Sequence, residues 1–235
     1  MNLHYNTVSE NMLTVLKQLI AVKELEPFRL VGGTALALQF GHRISVDLDL
    51  FAGGRVDISS LISAIDKYFK KDFRVTRRLQ HGISCVINNI KVDLFDWKIP
   101  YAHDALIMEG IRMANPQDIF ANKCEAVLGR RAEKDLCDIA EILKHYELNE
   151  LIKTLKTRYP FITPGSVFAI LLKSETIERD TTIRFLQGNT FENYAALIGE
   201  KISAYQQKLQ DQKKLKEEER AGRIQALIEK KRSGK

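Results

Sequence analysis

The residues best placed to do chemistry gather in one stretch, Phe28 to Phe51, FRLVGGTALALQFGHRISVDLDLF. Asp47 and Asp49 sit in an alternating run, Val46-Asp47-Leu48-Asp49-Leu50-Phe51. Strand side chains alternate between two faces. The two aspartates therefore share one face, and Val46, Leu48 and Leu50 are expected to point the other way, into a core. Paired carboxylates repel each other, and a divalent cation relieves that repulsion. Hard cations such as Mg²⁺ take oxygen ligands and leave room for substrate phosphates. Upstream, Gly32-Gly33-Thr34 stands where a short apolar run feeds a small-residue helical segment. Missing side chains let backbone N–H groups approach an anion, and a helix N-terminus adds a favourable dipole. Alone, a Gly-Gly is often a tight turn and an Asp-x-Asp a pair of surface carboxylates. In this order they are far more specific: a phosphate cradle beside a metal clamp points to chemistry on a nucleoside triphosphate.

The elements that must position these groups follow from periodicity. Thr7-Val8-Ser9-Glu10 reads as a capping box. The helical spacing of Leu13, Leu16, Leu19 and Ile20 predicts a helix running to about Leu25. Phe28 to Val31 reads as a buried strand, Ala35 to Gly41 as a short helix and Ser45 to Phe51 as a strand. Asp57 is the cap of a helix to about Lys70, with Leu61, Ile62, Ile65 and Phe69 inward. A meander follows: Phe73 to Leu79, Ile83 to Ile87, and Ile90 to Trp97, with Asn88-Asn89 as a hairpin signal. In the last of these, Asp93, Phe95 and Trp97 share one face and Val92, Leu94 and Asp96 the other. A short strand is expected near Gly110 to Met113. From Asn115-Pro116, a cap followed by a first-turn proline, the pattern is helical. Helices are expected at Pro116 to Leu128, Glu133 to Tyr146, Asn149 to Arg158 and Gly165 to Lys173, with one or two long helices over Phe191 to Lys231. After Gln206 the last is polar all round. The order is mixed α/β to about Met113, then all α, so two lobes are expected, 1–114 and 115–235, with a cleft between them.

Composition narrows the class. The chain has 235 residues and 45% hydrophobic side chains, enough for a real core. Cys85, Cys124 and Cys137 are few, odd in number and widely spaced, which argues for buried thiols in a reducing compartment. No basic-then-apolar leader is seen, and no apolar run reaches about eighteen residues, so a cytoplasmic protein with no membrane partner is expected. The net charge is +6. From Lys208 to Lys235 there are ten Lys/Arg against five Asp/Glu, and Lys70 to Arg78 forms a second basic cluster. Such a surplus attracts nucleic acid or keeps a helix solvated.

Taken together, Gly32-Gly33-Thr34, Asp47-Leu48-Asp49 and Val92-Asp93-Leu94 resemble the DNA polymerase β-type nucleotidyltransferase superfamily. The longer pattern is similar to the AbiEii/AbiGii toxin nucleotidyltransferases of type IV toxin–antitoxin and abortive-infection systems. It comprises LVGGTALAL, HRISVDLDLF, and a later helix with Lys123, Arg130 and Lys134-Asp135-Leu136-Cys137-Asp138. The resemblance spans about Phe28 to Leu143. It implies a nucleotidyltransferase-like mixed sheet with flanking helices and carries no specific motif in the C-terminal third; with the all-α C-terminal lobe read from the pattern, the expected fold is α+β. It further implies that Asp47, Asp49 and Asp93 bind Mg²⁺ (or Mn²⁺), with Asp93 as third carboxylate or general base. Asp96 is the rival for that place. Gly32, Gly33 and Thr34 would meet the triphosphate of an NTP. Arg43, Ser45, Lys123, Arg130 and Asp135 complete the implied nucleotide site.

The implied activity is transfer of a nucleotidyl group to an acceptor hydroxyl, on RNA such as the 3′ end of tRNA or on another acceptor, with a cognate antitoxin as partner. Lys123, on an apolar helix face, is expected to reach into the cleft and neutralise phosphate, or else to snorkel to solvent. Asp135 and Asp138, three apart on one helix, share a face, and one of them is expected to pair with Lys123 or Arg43, the alternative being an exposed acidic edge. His42 reads as a packing histidine. Phosphoryl transfer at the same residues, and NTP binding without turnover, remain alternatives; labelling the α- against the γ-phosphate separates the first from nucleotidyl transfer.

Overall fold

The computed structural model describes residues 2–232. Among them a seven-stranded mixed sheet runs in the order β3-β4-β5-β2-β1-β7-β6. Its central strands are β1 (Phe28–Leu30), β2 (Asp47–Ala52) and β5 (Ile90–Asp96). On one side β3 (Phe73–Leu79) and β4 (Gly82–Ile87) extend the sheet as a meander; on the other lie β6 (Leu106–Met108) and β7 (Ile111–Met113). β2 pairs parallel with β5, and β1 parallel with β7; the remaining pairs are antiparallel. Asn88 and Asn89 both take positive φ, the left-handed geometry that a two-residue hairpin needs and that Asn tolerates.

Leu48, Leu50, Val92, Leu94, Ile83 and Cys85 form one buried face of this sheet. Against it pack α1 (Glu10–Ile20) and α3 (Ile58–Phe69). Three departures from the expected pattern have local causes. The cap of α1 is Ser9, whose hydroxyl accepts from the Met12 N–H, while the Thr7 hydroxyl turns back to the His4 carbonyl. α1 stops at Ile20, and a tight turn at Lys23–Leu25 carries the chain to β1. Val46 is 70% exposed, because β2 begins one residue later and its alternation starts at Asp47. Asp57 caps α3 and Asn115 caps α4, as their positions before helical runs require.

The second half is helical: α4 (Pro116–Gly129), α5 (Glu133–His145), α6 (Leu148–Arg158), α7 (Pro164–Leu171) and α8 (Phe191–Arg232). α2 (Gly32–Phe40) joins β1 to β2 and packs on α4 and α5. The segment between α7 and α8 returns to the first half. The Ile44 N–H donates to the Arg184 carbonyl, and the Leu186 N–H to the His42 carbonyl. α8 is a single helix of 42 residues. Ile198 and Ile202 are buried, whereas Leu209, Leu215, Ile224 and Ile228 are exposed, so its distal part stands away from the body. No helix among the described residues is long and apolar enough to cross a membrane. The three cysteines are buried and unpaired with one another, and burial pushes the Cys85 thiol up to about 12.

Candidate active site

The site lies on the sheet face opposite the core, where β2 and β5 run side by side. Their register sets Asp49 beside Asp93 and Asp47 beside Lys91. Directly paired residues share a face, so Asp47, Asp49 and Asp93 project together. They line a cleft of about 450 Å³ with Gly32, Phe51, Lys91, Phe95, Trp97, Asn122, Lys123, Glu125, Arg130 and Lys134. A second hollow of about 530 Å³ adjoins it and shares Asp47, Asp49, Lys123, Arg130 and Lys134. Gly33, Thr34, Arg43, Ser45 and Arg184 line its far side.

The carboxylates here are poorly compensated. Burial first, and then the Asp93 charge, holds the Asp49 carboxyl above its usual range, against the opposing pull of Lys123. Asp93 Oδ2 meets Lys91 Nζ at 3.2 Å, while its Oδ1 is buried with no partner. No cluster of three or more His, Cys, Asp or Glu side chains among the described residues forms a ready-made metal cage. The expectation of three gathered carboxylates is thus modified: the three share a face, and Lys91 engages the third. Even so, an orphaned carboxylate oxygen, a strained Asp49 and an all-oxygen donor set fit a hard divalent cation. The Lys91 side chain is 55% exposed, and breaking so exposed an ion pair costs little. The rival Asp96 is on the opposite, core side, 3.2 Å from His81 Nδ1.

The glycine pair has a sharper role than a bare cradle. Gly32 takes φ +67°, and a Cβ there would lie 2.8 Å from Asp49 Oδ2. A Cβ on Gly33 would lie 1.7 Å from Arg43 Nη2. The space vacated by the two side chains is therefore filled by a carboxylate and a guanidinium. The N–H groups of the first turn of α2 still lack intrahelical partners and carry the helix dipole's positive end beside Asp49. Thr34 is buried: its hydroxyl donates to the Asp47 carbonyl and lies 2.8 Å from the Ser45 hydroxyl. Those two side chains brace the entry to β2, and neither hydroxyl is left free for a phosphate.

Behind the cleft, α4 and α5 build a buried ion network. Asp138 accepts from Arg43 Nε at 2.8 Å and Nη2 at 3.0 Å, lies 2.8 Å from His42 Nε2 and 2.6 Å from Lys123 Nζ. Asp135 accepts from Lys123 Nζ at 2.7 Å and from Arg130 Nε at 2.8 Å. Burial alone would raise the Asp138 carboxyl; Arg43 and Lys123 outweigh it and hold it well below the carboxylate range. The expected pairing of Asp135 and Asp138 with Lys123 and Arg43 is found, doubled. Arg43 braces Asp138 rather than Asp47 or Asp49. Lys123 is clamped between two carboxylates at the back of the cleft instead of reaching freely into it. Asp135 is fully buried and holds Lys123 and Arg130 through its two oxygens.

Lys91, Lys134, Phe95, Trp97 and Asn122 also line the cleft, and Arg184 the adjoining hollow, beyond the site residues expected from the sequence. Lys91 was accessible by alternation, two residues before Asp93. Trp97 is fixed by its Nε1–H, which donates to the Tyr159 hydroxyl at 3.2 Å, and that hydroxyl donates to Asn122 Oδ1 at 2.8 Å. Arg131 is exposed and lines neither hollow.

Comparison with known proteins agrees with this architecture. Residues 14–161 match the family model for the nucleotidyl transferase AbiEii toxin of type IV toxin–antitoxin systems. The chain belongs to this family of nucleotidyltransferases. It is 30% identical over 165 residues to the uncharacterized protein aq_aa25 of Aquifex aeolicus, covering 68% of this chain and 77% of that one. Its fold is similar to that of JHP933 from Helicobacter pylori, with a TM-score of 0.55 and 23% identity over 87% of this chain and 96% of that chain. It is similar also to MenT4, a nucleotidyltransferase toxin from Mycobacterium tuberculosis, with a TM-score of 0.56 and 13% identity over 81% of each chain.

Proposed function

We propose that this chain is the toxin of a type IV toxin–antitoxin pair and moves a nucleotidyl group from an NTP to an acceptor hydroxyl on RNA, with the 3′ end of tRNA as the leading candidate. The observation that carries the reading is the Asp49–Asp93 pair on adjacent parallel strands, with Asp47 on the same face and the start of α2 alongside.

In this reading Asp47, Asp49 and Asp93 would hold Mg²⁺ or Mn²⁺. A divalent cation bound there would supply positive charge to lower the pKa of an attacking hydroxyl and to offset charge on departing pyrophosphate. The first-turn N–H groups of α2, at Gly32 and Gly33, take the triphosphate. Arg130 and Lys134, on the rim, add charge of the right sign. Asp93, whose Oδ1 has no hydrogen-bond partner, would accept the acceptor hydroxyl's proton. Lys123 and Arg43 act from behind: locked on Asp138, they fix the position of α2 and lend a positive background. Thr34 and Ser45 hold β2 so that Asp47 and Asp49 face the cleft. Residues 1–114 form the catalytic core in this scheme, and 115–235 a helical lobe that supplies the other wall. A cognate antitoxin is the expected protein partner, and the cytoplasm the expected setting.

The test is incubation of the full chain with α-labelled or γ-labelled NTPs, a divalent cation and total RNA. Label from the α-position should appear in RNA and vanish in Asp49→Ala. Transfer of the γ-label alone would replace the reading with phosphoryl transfer. No transfer from either position would refute it.

A further inference from the structure

The acidic cluster does not stand alone on its sheet face. Pairing runs straight across four strands in two rows. One row is Arg77, Ser84, Asp93 and Asp49; the other is Arg74, Val86, Lys91 and Asp47. Directly paired residues share a face, so Arg74, Arg77 and Lys91 lie on the same face as the three aspartates. Strands are spaced by roughly 4.8 Å, which puts the backbone of Arg77 about 14 Å from that of Asp49. Both arginines and Lys91 are exposed, and Ser84 and Val86 between them are only partly covered. Beside Arg74, a hollow of about 570 Å³ is lined by Lys71, Asn88 and Asn89.

This arrangement depends on one irregularity. Simple alternation along β3 would group Arg74 with Thr76 and Arg78, and set Arg77 opposite. The pairing with β4 instead slips between Val75 and Arg77. The extra residue of a bulge reverses the alternation beyond it. Arg77 thereby joins Arg74 on the site face, and Arg78 turns to the other face, opposite Ile83. The Thr76 hydroxyl donates to the Ser84 carbonyl at 3.0 Å and so ties the bulge to β4. Charge on an edge strand commonly guards against aggregation, but that purpose is served by either face. It does not ask for two arginines in register with the catalytic row.

We propose that this open face is the acceptor track: a single-stranded nucleic-acid end crosses it from the β3 edge, its phosphates on Arg74 and Arg77, and its terminal base against Phe95 and Trp97 beside Asp93. The inference rests on the RNA-acceptor reading above. Aromatic side chains stack on any base, and basic residues follow the backbone without reading sequence. Phe95 and Trp97 continue the β5 alternation from Asp93 and line the cleft, and the hydrogen bond to Tyr159 holds the indole edge still. The track thus grips the chain near the reacting end and leaves the NTP to α2 and Arg130.

The experiment uses the full chain and a fluorescently labelled single-stranded RNA, without NTP, at several salt concentrations. The double variant Arg74→Ala/Arg77→Ala should bind RNA roughly tenfold more weakly. Its log–log salt slope should be shallower by about 1.4, since each lost phosphate contact on a single strand removes about 0.7. Arg78→Ala, on the opposite face, should stay within about twofold of the unmodified chain. ATP affinity should be equal in all three proteins. Trp97 is the only tryptophan, so RNA should quench intrinsic fluorescence, with the quench displaced to higher RNA in the double variant. Equal loss in Arg78→Ala, no loss in the double variant, or saturation by RNA without quenching would overturn the track. A chain that transfers nucleotide to protein or a small molecule and ignores RNA would refute the track and leave nucleotidyl transfer standing. RNA binding through these arginines with no nucleotide transfer would do the reverse.

Discussion

Two groups of charges, one lining the cleft and one behind it, are treated by the fold in opposite ways. Around Asp138 both carboxylates are answered by cations: Arg43, Lys123 and His42 converge on Asp138, and Asp135 takes the other side of Lys123 and the fork of Arg130, with His42 Nδ1 as the one buried side-chain atom of the group left without a partner. On the sheet face Asp49 is pressed by Asp93 and Asp47, and one oxygen of Asp93 has no partner. A buried ion cluster that is complete holds elements in place, and removing one member strands the rest. A cluster left incomplete costs stability, and such clusters are concentrated at functional sites. The first group joins the segment after α2 to α4 and α5; the second has no such set of partners.

The comparison breaks most visibly at Asp138. Asp138→Ala leaves Arg43 and Lys123 buried without their shared anion and should cost about 3–5 kcal/mol in urea unfolding. The same carboxylate gives a pH dependence. Its folded pKa lies below its unfolded value, so the unfolded chain binds the extra proton. Its stabilisation is therefore fully present above the ordinary carboxylate range of about 4 and is lost as pH falls through and below it. Unfolding midpoints from pH 7 to 3 should show that loss, and Asp138→Asn should flatten it.

Asp49→Asn should do the opposite. Nucleotidyl transfer should fall at least about 100-fold, while the thermal midpoint without metal holds or rises, because a repelling charge is gone. A large drop in stability would mean that Asp49 belongs to the structural group after all. Gly33→Ala tests the junction between the groups. Its Cβ would displace the Arg43 guanidinium from Asp138, at a cost of about 1–3 kcal/mol. The smallest effect is expected at Arg130, whose side chain is 60% exposed. Arg130→Ala should change stability by less than about 1 kcal/mol, yet weaken NTP binding in titration calorimetry.

Much of this was legible in the residues. The hairpin at Asn88-Asn89 and the helix caps at Asp57 and Asn115 need only local chemistry: αL tolerance for the first, and a side-chain acceptor for a free N–H in the others. The shared face of Asp47 and Asp49 follows from period two alone. Where the structure differs from the sequence pattern, the cause is also local. Val46 alternates correctly in sequence but precedes the first ladder pair, so no core covers it. Thr7 fits the capping box by spacing, but Ser9 holds the position whose side chain can reach the Met12 N–H.

What the sequence by itself determined is which side chains each element offers to each face, because helix and strand periods are fixed by backbone sterics. Tertiary structure alone decided which offered groups meet. Asp93 joins Asp49 through a β2–β5 register spanning more than forty residues, and Gly33 must be glycine because Arg43 folds back against it. Arg74 and Arg77 reach one face only through a bulge that β4 imposes. Such pairings depend on packing between distant segments, and no spacing along one segment encodes them.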